Sequence, residues 1–312
     1  MLNHILGIKY PIIQGAMANI ATAEFAACVS NCGGLGIIAT GSMDQEQVRA
    51  EIQKCKQLTS QPFGVNVMLM NPYSSQIIDV IIEEKVPVVT TGAGNPGPYI
   101  KKLKSANIKV FPVIPSVALA KRMERAGVDG VIAEGGESGG HVGEMTTMAL
   151  VPQVVDALNI PVIAAGGIAD GRGVLAALSL GACGVQIGTC LLASEECPIH
   201  DNYKNAVIKA RDTDTIVTGR SVNTPVRILK NQLARQYIKL EGQFESREEL
   251  EKLTLGALRK AVVDGDIKTG SVMMGQIAGM VKNIQPMQDI LKQLMEDTKK
   301  AYHQLSTQME EL

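Results

Sequence analysis

The chain has 312 residues, with Lys and Arg numbering 30 against 31 for Asp and Glu, 46% hydrophobic residues, 31 glycines and no tryptophan. That length can bury the core of one large domain or two modest ones. A formal net charge of -1, with no run of like charges, excludes the long-range field that gathers nucleic acid or an anionic membrane surface. Ahead of Lys9 and Pro11 there is neither a basic n-region nor an apolar h-region, so no secretory signal is expected and the protein is expected in the cytoplasm. Residues 173–194 carry no charge and are long enough to span a bilayer. Gly181, Gly184 and Gly188, with polar Gln186 and Thr189, divide them into a helix-like and a strand-like piece, the pattern of buried α/β elements rather than of a membrane span. Six cysteines, at 28, 32, 55, 183, 190 and 197, show no CxxC pair and no Cys/His ligand spacing, so reduced thiols and no metal site are expected.

Apolar, β-rich segments begin in chain order at Pro11, Leu35, Phe63, Val86, Lys109, Gly130, Pro161 and Gly184. Helix-type apolar spacing occupies residues 21–30, 44–58, 75–84, 117–126 and 171–180. Gly33, Gly127 and Gly181 follow helical patterns where a left-handed cap is wanted, and Asp44 precedes one as an N-cap. Eight strands about 25 residues apart with helices between them predict an α/β fold with a parallel sheet, which closes into a (β/α)8 barrel of the TIM type. The repeat is lost after residue 194. Residues 195–285, including YKNAVIKARD, TPVRILKNQLARQYIKL and SREELEKLTLGALRKAVV, read as a smaller, mainly helical lid domain over the barrel mouth. Residues 286–312 form one amphipathic helix with Ile290, Leu291, Leu294, Met295, Tyr302, Leu305 and Met309 on its apolar stripe, expected to pack on the barrel or on a second subunit.

In such a barrel the reacting groups lie at the C-terminal ends of the strands. The seventh strand runs into AAGGIADGRG (164–173) and the eighth into QIGTC (186–190). Backbone N–H groups at two adjacent Gly-rich turns cradle a phosphate, a recurring feature after these strands. The sixth strand ends in AEGGESGGHVGE (133–144), where glycines around Glu134, Glu137 and His141 let the backbone approach a flat ligand and place an imidazole that exchanges protons near neutral pH. His4, His200 and His303 lack such surroundings. The GESGG letters match a nucleophile elbow, but an elbow needs the strand-to-helix turn of an α/β-hydrolase, which this repeat does not supply.

Further segments carry a resemblance: QGAMA (14–18), GGLGII (33–38), PFGVN (62–66), TTGAGNP (90–96), PSVALAKRMERAGVD (115–129), SGGHVGEMTTMALVPQV (138–154), PVIAAGGIADG (161–171), QIGT (186–189), LKNQLAR (229–235) and GDIKTGSVMMGQIAG (265–279). Together they are similar to the FMN-dependent enoyl-acyl-carrier-protein reductase II family of bacterial fatty-acid synthesis, a relative of nitronate monooxygenase, over nearly the whole chain. The HVGEMTTM, LKNQLAR and MMGQIAG stretches look more like the reductase. By position the resemblance implies that Gly15, Ala16, Met17 and Asn66 line the isoalloxazine, that Gly139 and Gly140 border it, that Gly166, Gly167, Ile168, Gly188 and Thr189 bind the FMN phosphate, and that His141 is the catalytic histidine. Glu134 and Gln186 are further cofactor-contact candidates. Two departures are Cys190, where relatives often carry a larger residue, and Ser138, where Ala is common.

The resemblance implies NADH as co-substrate, an enoyl-acyl carrier protein as substrate and a homodimer. Met43, Met145, Met148, Met273 and Met274 are candidates for an adaptable acyl tunnel, and Arg220, Arg227, Lys230, Arg235 and Lys239 for a basic rim facing an acidic carrier. The rival readings are a nitronate monooxygenase that uses FMN and dioxygen, a flavin-free phosphosugar enzyme on the same barrel, and a ligand-binding barrel without catalysis.

Overall fold

The computed structural model describes residues 1–41, 43–243 and 246–311; Leu312, the last residue of the expected C-terminal helix, lies outside them. The eight barrel strands are β1 (Ile12–Gln14), β2 (Gly36–Ala39), β3 (Phe63–Met68), β4 (Val88–Gly92), β5 (Lys109–Ile114), β6 (Val131–Glu134), β8 (Val162–Ala165) and β9 (Gly184–Ile187). They form one parallel sheet in the order β1-β9-β8-β6-β5-β4-β3-β2, and a parallel bridge from Ile13 to Leu35 closes the ring. That seam has little main-chain pairing. Gln14, fully buried, supplies the missing partners: its Nε2 donates to the Ile37 carbonyl at 3.1 Å and its Oε1 accepts from the Ile37 N–H at 3.4 Å, which satisfies backbone groups that burial would otherwise strand.

Helices α2 (Ala23–Asn31), α3 (Gln45–Leu58), α4 (Ser74–Glu83), α5 (Gly97–Ser105), α6 (Val117–Arg125), α7 (Thr147–Ala157) and α8 (Gly171–Ser179) follow the strands. Asp44 caps α3 in a reciprocal box with Gln47, and Gly33, Gly127 and Gly181 take φ of 100°, 87° and 93°, as their positions require. Helices α5 and α7 are additions to the expected set: Gly97-Pro98 reads as a turn, and Pro152 interrupts the apolar spacing of α7. A short N-terminal helix, α1 (Leu2–Leu6), is also additional. Its Leu2 and Leu6 join Ile13, Leu35, Ile37, Val88, Phe111, Ile132, Ile163 and Ala165 in the cluster that fills the barrel, so α1 plugs the end opposite the strand C-termini and leaves only those termini for chemistry.

The uncharged stretch 173–194 divides into α8, β9 and a 3-10 turn at Thr189–Ala193, and no helix among the described residues is long and apolar enough to cross a membrane. Beyond it come α9 (Asp201–Lys209), α10 (Gln232–Glu241), α11 (Arg247–Thr254) and α12 (Ala257–Val262), but this region is not simply helical. It holds β10 (Thr215–Thr218) and β11 (Val226–Leu229), which form an antiparallel sheet with β7 (Gly140–His141) from the loop after β6. The run TPVRILKNQLARQYIKL therefore breaks in two. Val226 and Ile228 favour a strand, and Asn231, whose side chain accepts from Ala234 N–H at 3.0 Å, starts α10 as an N-cap. Helix α13 (Met287–Glu310) lies against α8 so closely that a Cβ at Gly171 would come within 2.2 Å of the Asp297 and Thr298 backbone.

Candidate active site

The strand C-termini converge on one rim. Glu134 pairs in register with Ala165, and Ala165 with Gln186. Gly15 N–H donates to the Ile187 carbonyl at 2.7 Å, and a Cβ on Gly188 would lie 3.6 Å from Met17 Sδ. Gly15, Ala16, Met17, Gln186 and Gly188 are thus brought together where β1 meets β9. Asn66, two strands away on β3, is anchored by its Nδ2, which donates to Thr90 Oγ1 at 2.9 Å.

The turns after β8 and β9 supply unused donors. Gly166 and Gly167 take φ of 89° and 74°, a backbone open to glycine and costly for other residues. Among the described residues no backbone carbonyl accepts from the N–H groups of Gly166, Gly167, Ile168, Gly188 or Thr189. Helix α8 contributes less than a free N-terminus would, because the Asp170 side chain accepts from the Arg172 and Gly173 N–H groups at 2.9 and 3.2 Å. Five main-chain donors on two adjacent turns suit a phosphate oxygen cluster, so the residues present fit the phosphate end of a nucleotide cofactor.

The loop after β6 is held from several sides. Glu137 oxygens accept from Thr147 N–H at 2.9 and 3.0 Å and from Thr147 Oγ1 at 3.0 Å, and that hydroxyl also lies 2.9 Å from the Gly166 carbonyl. The Glu137 carbonyl accepts from Gln276 N–H at 2.9 Å, while Gly275 N–H donates to Thr189 Oγ1 at 2.9 Å. A Cβ on Gly139 would come within 2.6 Å of the Met274 backbone. Gly139 thus serves close packing of the loop on residues 274–275, and the Thr189 hydroxyl joins that packing. Spacing does not reveal Thr147, Gly275 or the clamping role of Glu137, because each acts through a partner remote in sequence.

His141 pairs with Val226 at the edge of the small sheet. Its side chain reaches the surface, although protein crowds most of its surroundings. Desolvation by that crowding holds its pKa below the ordinary 6.5, so the reachable imidazole is neutral at pH 7 and offers an N–H donor. Ser138 lies in this loop and not at a strand-to-helix turn; its hydroxyl donates to Glu134 Oε1 at 2.9 Å. The departure from Ala thus gives Glu134 a partner, while burial pushes the Glu134 carboxyl from 4.5 up to about 7.

Three expected roles change. Arg227 is buried at 8% exposure and donates through Nε and Nη2 to the Gly136 carbonyl at 3.2 and 2.8 Å, so it is no rim cation; Arg220, Lys230, Arg235 and Lys239 are exposed. Met274 is fully buried in the main core. Met148, 68% exposed, lines a groove of about 890 Å³ between α8 and α13 with Leu175 and Leu305, on the outside of the barrel. Met273 stays near the loop, 3.5 Å from where a Cβ on Gly140 would stand.

The Glu134 shift has a measurable sign. Between pH 4.5 and about 7 the folded chain holds a proton that the unfolded chain has released, so stability is lost as pH rises through this window. Glu134 keeps partial solvent contact, so the linked change in stability is smaller than the full equivalent of the move, about 3 kcal/mol. Glu134→Gln is expected to unfold at a higher temperature than wild type at pH 8, with the gap closing toward pH 4.5. An equal gap at both pH values in thermal melts would contradict the assignment.

Comparison with known proteins is consistent with this geometry. A family model described as nitronate monooxygenase matches residues 1–77 and 71–297. A probable nitronate monooxygenase from Staphylococcus aureus (strain MSSA476) is 37% identical, covering 88% of this chain and 90% of that protein. The solved structure of FabK from Thermotoga maritima superposes with a TM-score of 0.96 at 47% identity, covering 98% of each chain. A nitroalkane oxidase from Streptomyces ansochromogenes superposes with a TM-score of 0.86 at 26% identity, covering 97% of this chain and 99% of that one. A family model spanning most of the chain, on a (β/α)8 barrel with free phosphate-type donors after its last two strands, places this protein in the nitronate monooxygenase family of flavin-dependent oxidoreductases.

Proposed function

We propose that the protein is an NADH-dependent enoyl-acyl-carrier-protein reductase of bacterial fatty-acid synthesis with FMN as its resident cofactor. The observation that carries this reading is the 98% mutual coverage, at 47% identity, with FabK of Thermotoga maritima. In this reading Gly166, Gly167, Ile168, Gly188 and Thr189 hold the FMN phosphate. Gly15, Ala16, Met17, Asn66, Gly139 and Gly140 border the ring system, with Glu134 and Gln186 beside it. When bound, FMN supplies hydride transfer between NADH and the β-carbon of a trans-2-enoyl thioester.

The chain's own residues do the rest. Hydride addition at the β-carbon builds negative charge on the thioester oxygen, to which the neutral imidazole of His141 donates a hydrogen bond, and the α-carbon then takes a proton from water to complete the saturated thioester. Exposed Arg220, Lys230, Arg235 and Lys239 face an acidic carrier protein, and the protein works as a cytoplasmic homodimer, which sedimentation checks.

The test is anaerobic addition of NADH to the purified protein, following the visible flavin band. Bleaching reversed by an enoyl-CoA is the expected result. The names of the Staphylococcus aureus relatives favour a second reading, nitronate oxidation. A flavin that ignores NADH but bleaches with an alkyl nitronate would establish that reading instead.

A further inference from the structure

Arg227 is an unusual residue for its place. Arginine is almost never buried unless paired, yet Arg227 is 8% exposed and no carboxylate among the described residues lies within salt-bridge distance of it. Its guanidinium is spent on neutral oxygens: Nε and Nη2 grip the Gly136 carbonyl at 3.2 and 2.8 Å, and Nη1 donates to Thr215 Oγ1 at 3.2 Å. A rigid fork on a single carbonyl fixes direction as well as distance, which a lysine cannot do.

The segment it grips leads to His141. Arg227 pairs in register with Gly140, Val226 with His141, and Val142 N–H donates to the Pro225 carbonyl at 3.1 Å. One short strand therefore holds both legs of the loop, the far leg by main chain and the near leg by the Arg227 side chain. Gly135, Gly136, Gly139, Gly140 and Gly143 make the loop costly to order. Thr147 and Gln276 hold it at Glu137, and Gly136 N–H donates to the Met145 carbonyl at 2.8 Å, but the two-residue pairing of β7 is too short to fix the His141 end alone.

We propose that Arg227 is a positioning residue for His141, clamping the Gly136 carbonyl so that the loop presents the imidazole to the reacting thioester. The role rests on the reading of His141 given above. Arg227 touches no substrate, and it acts through the loop.

The test combines a double-mutant cycle with amide exchange. Arg227→Gln is expected to lower enoyl-thioester turnover by about 10- to 100-fold, the scale of a small misplacement of a reacting group. NADH bleaching and retained flavin should stay within about two-fold, as expected when only the histidine-dependent step is touched. In a His141→Ala background the same substitution should cost less than about two-fold, because residues acting as a unit are not additive. Arg227→Lys, which keeps charge without the fork, should recover only part of the loss. With or without flavin, amide exchange over residues 135–146 should accelerate in Arg227→Gln, and the His141 pKa read by NMR should move up toward 6.5.

Equal losses in both backgrounds, or full recovery by Arg227→Lys, would overturn the proposal, as would unchanged exchange in 135–146. If the glutamine variant does not fold, the lysine variant carries the same comparisons. Failure of the reductase reading is distinguishable, since wild-type flavin would then not bleach with NADH while the exchange comparison would still report on the clamp.

Discussion

Replacing His141 with alanine is expected to lower turnover of an enoyl thioester by about 10²- to 10⁴-fold, the range for losing a positioned hydrogen-bond donor or acid. The loss belongs to the second half of the reaction. His141 sits on the loop after β6 and not on the phosphate turns after β8 and β9, so retained flavin and NADH bleaching should match wild type in stopped-flow traces, while reoxidation by the enoyl thioester slows. Because desolvation holds the imidazole below pKa 6.5, His141 is neutral and still an N–H donor through neutral pH, so turnover should show no His141-linked change above pH 6.5, and any such change should lie below it. Turnover within a few-fold of wild type in His141→Ala would remove the residue from the mechanism.

Gly166→Ala is expected to expel the cofactor. Gly166 has φ 89°, and an added Cβ would stand 2.7 Å from the Gly135 carbonyl oxygen and 3.1 Å from Thr147 Oγ1. The left-handed backbone alone costs about 1–3 kcal/mol in a residue other than glycine. The clash with backbone adds to this, because a carbonyl cannot swing aside as a flexible side chain can. Gly127→Ala isolates the first contribution: its φ is 87°, with nothing within 4 Å of the new Cβ. Both variants should melt at lower temperature than wild type, Gly166→Ala lower still, and only Gly166→Ala should lose most of its flavin after gel filtration. Stoichiometric flavin in purified Gly166→Ala would detach the turn after β8 from the phosphate site.

The barrel was readable because its signals are periodic and local. Apolar segments at regular spacing mark the strands, and Gly33, Gly127 and Gly181 stop helices through conformations that other residues resist. The same locality limited the reading elsewhere. In TPVRILKNQLARQYIKL the apolar spacing suits a helix, yet Val226–Leu229 is a strand, because pairing with β10 and β7 outweighs a preference worth tenths of a kcal/mol per residue. Arg227 illustrates the same limit in a side chain. Its charge suggested a solvated rim, and only the Gly136 carbonyl, 91 residues away in sequence, explains its burial.

By itself the sequence determined the βα alternation, the glycine turns after the last two barrel strands and the histidine in a glycine-rich loop, since each is written in neighbouring residues. Tertiary structure alone decided the plug formed by Leu2 and Leu6 in the barrel, the Gln14 side chain that completes the β1–β2 seam, the Thr189 hydroxyl bonded to Gly275 across 86 residues, and the small sheet that carries His141. Such contacts satisfy buried polar groups with partners brought near only by folding, and no periodicity or spacing along the chain records them.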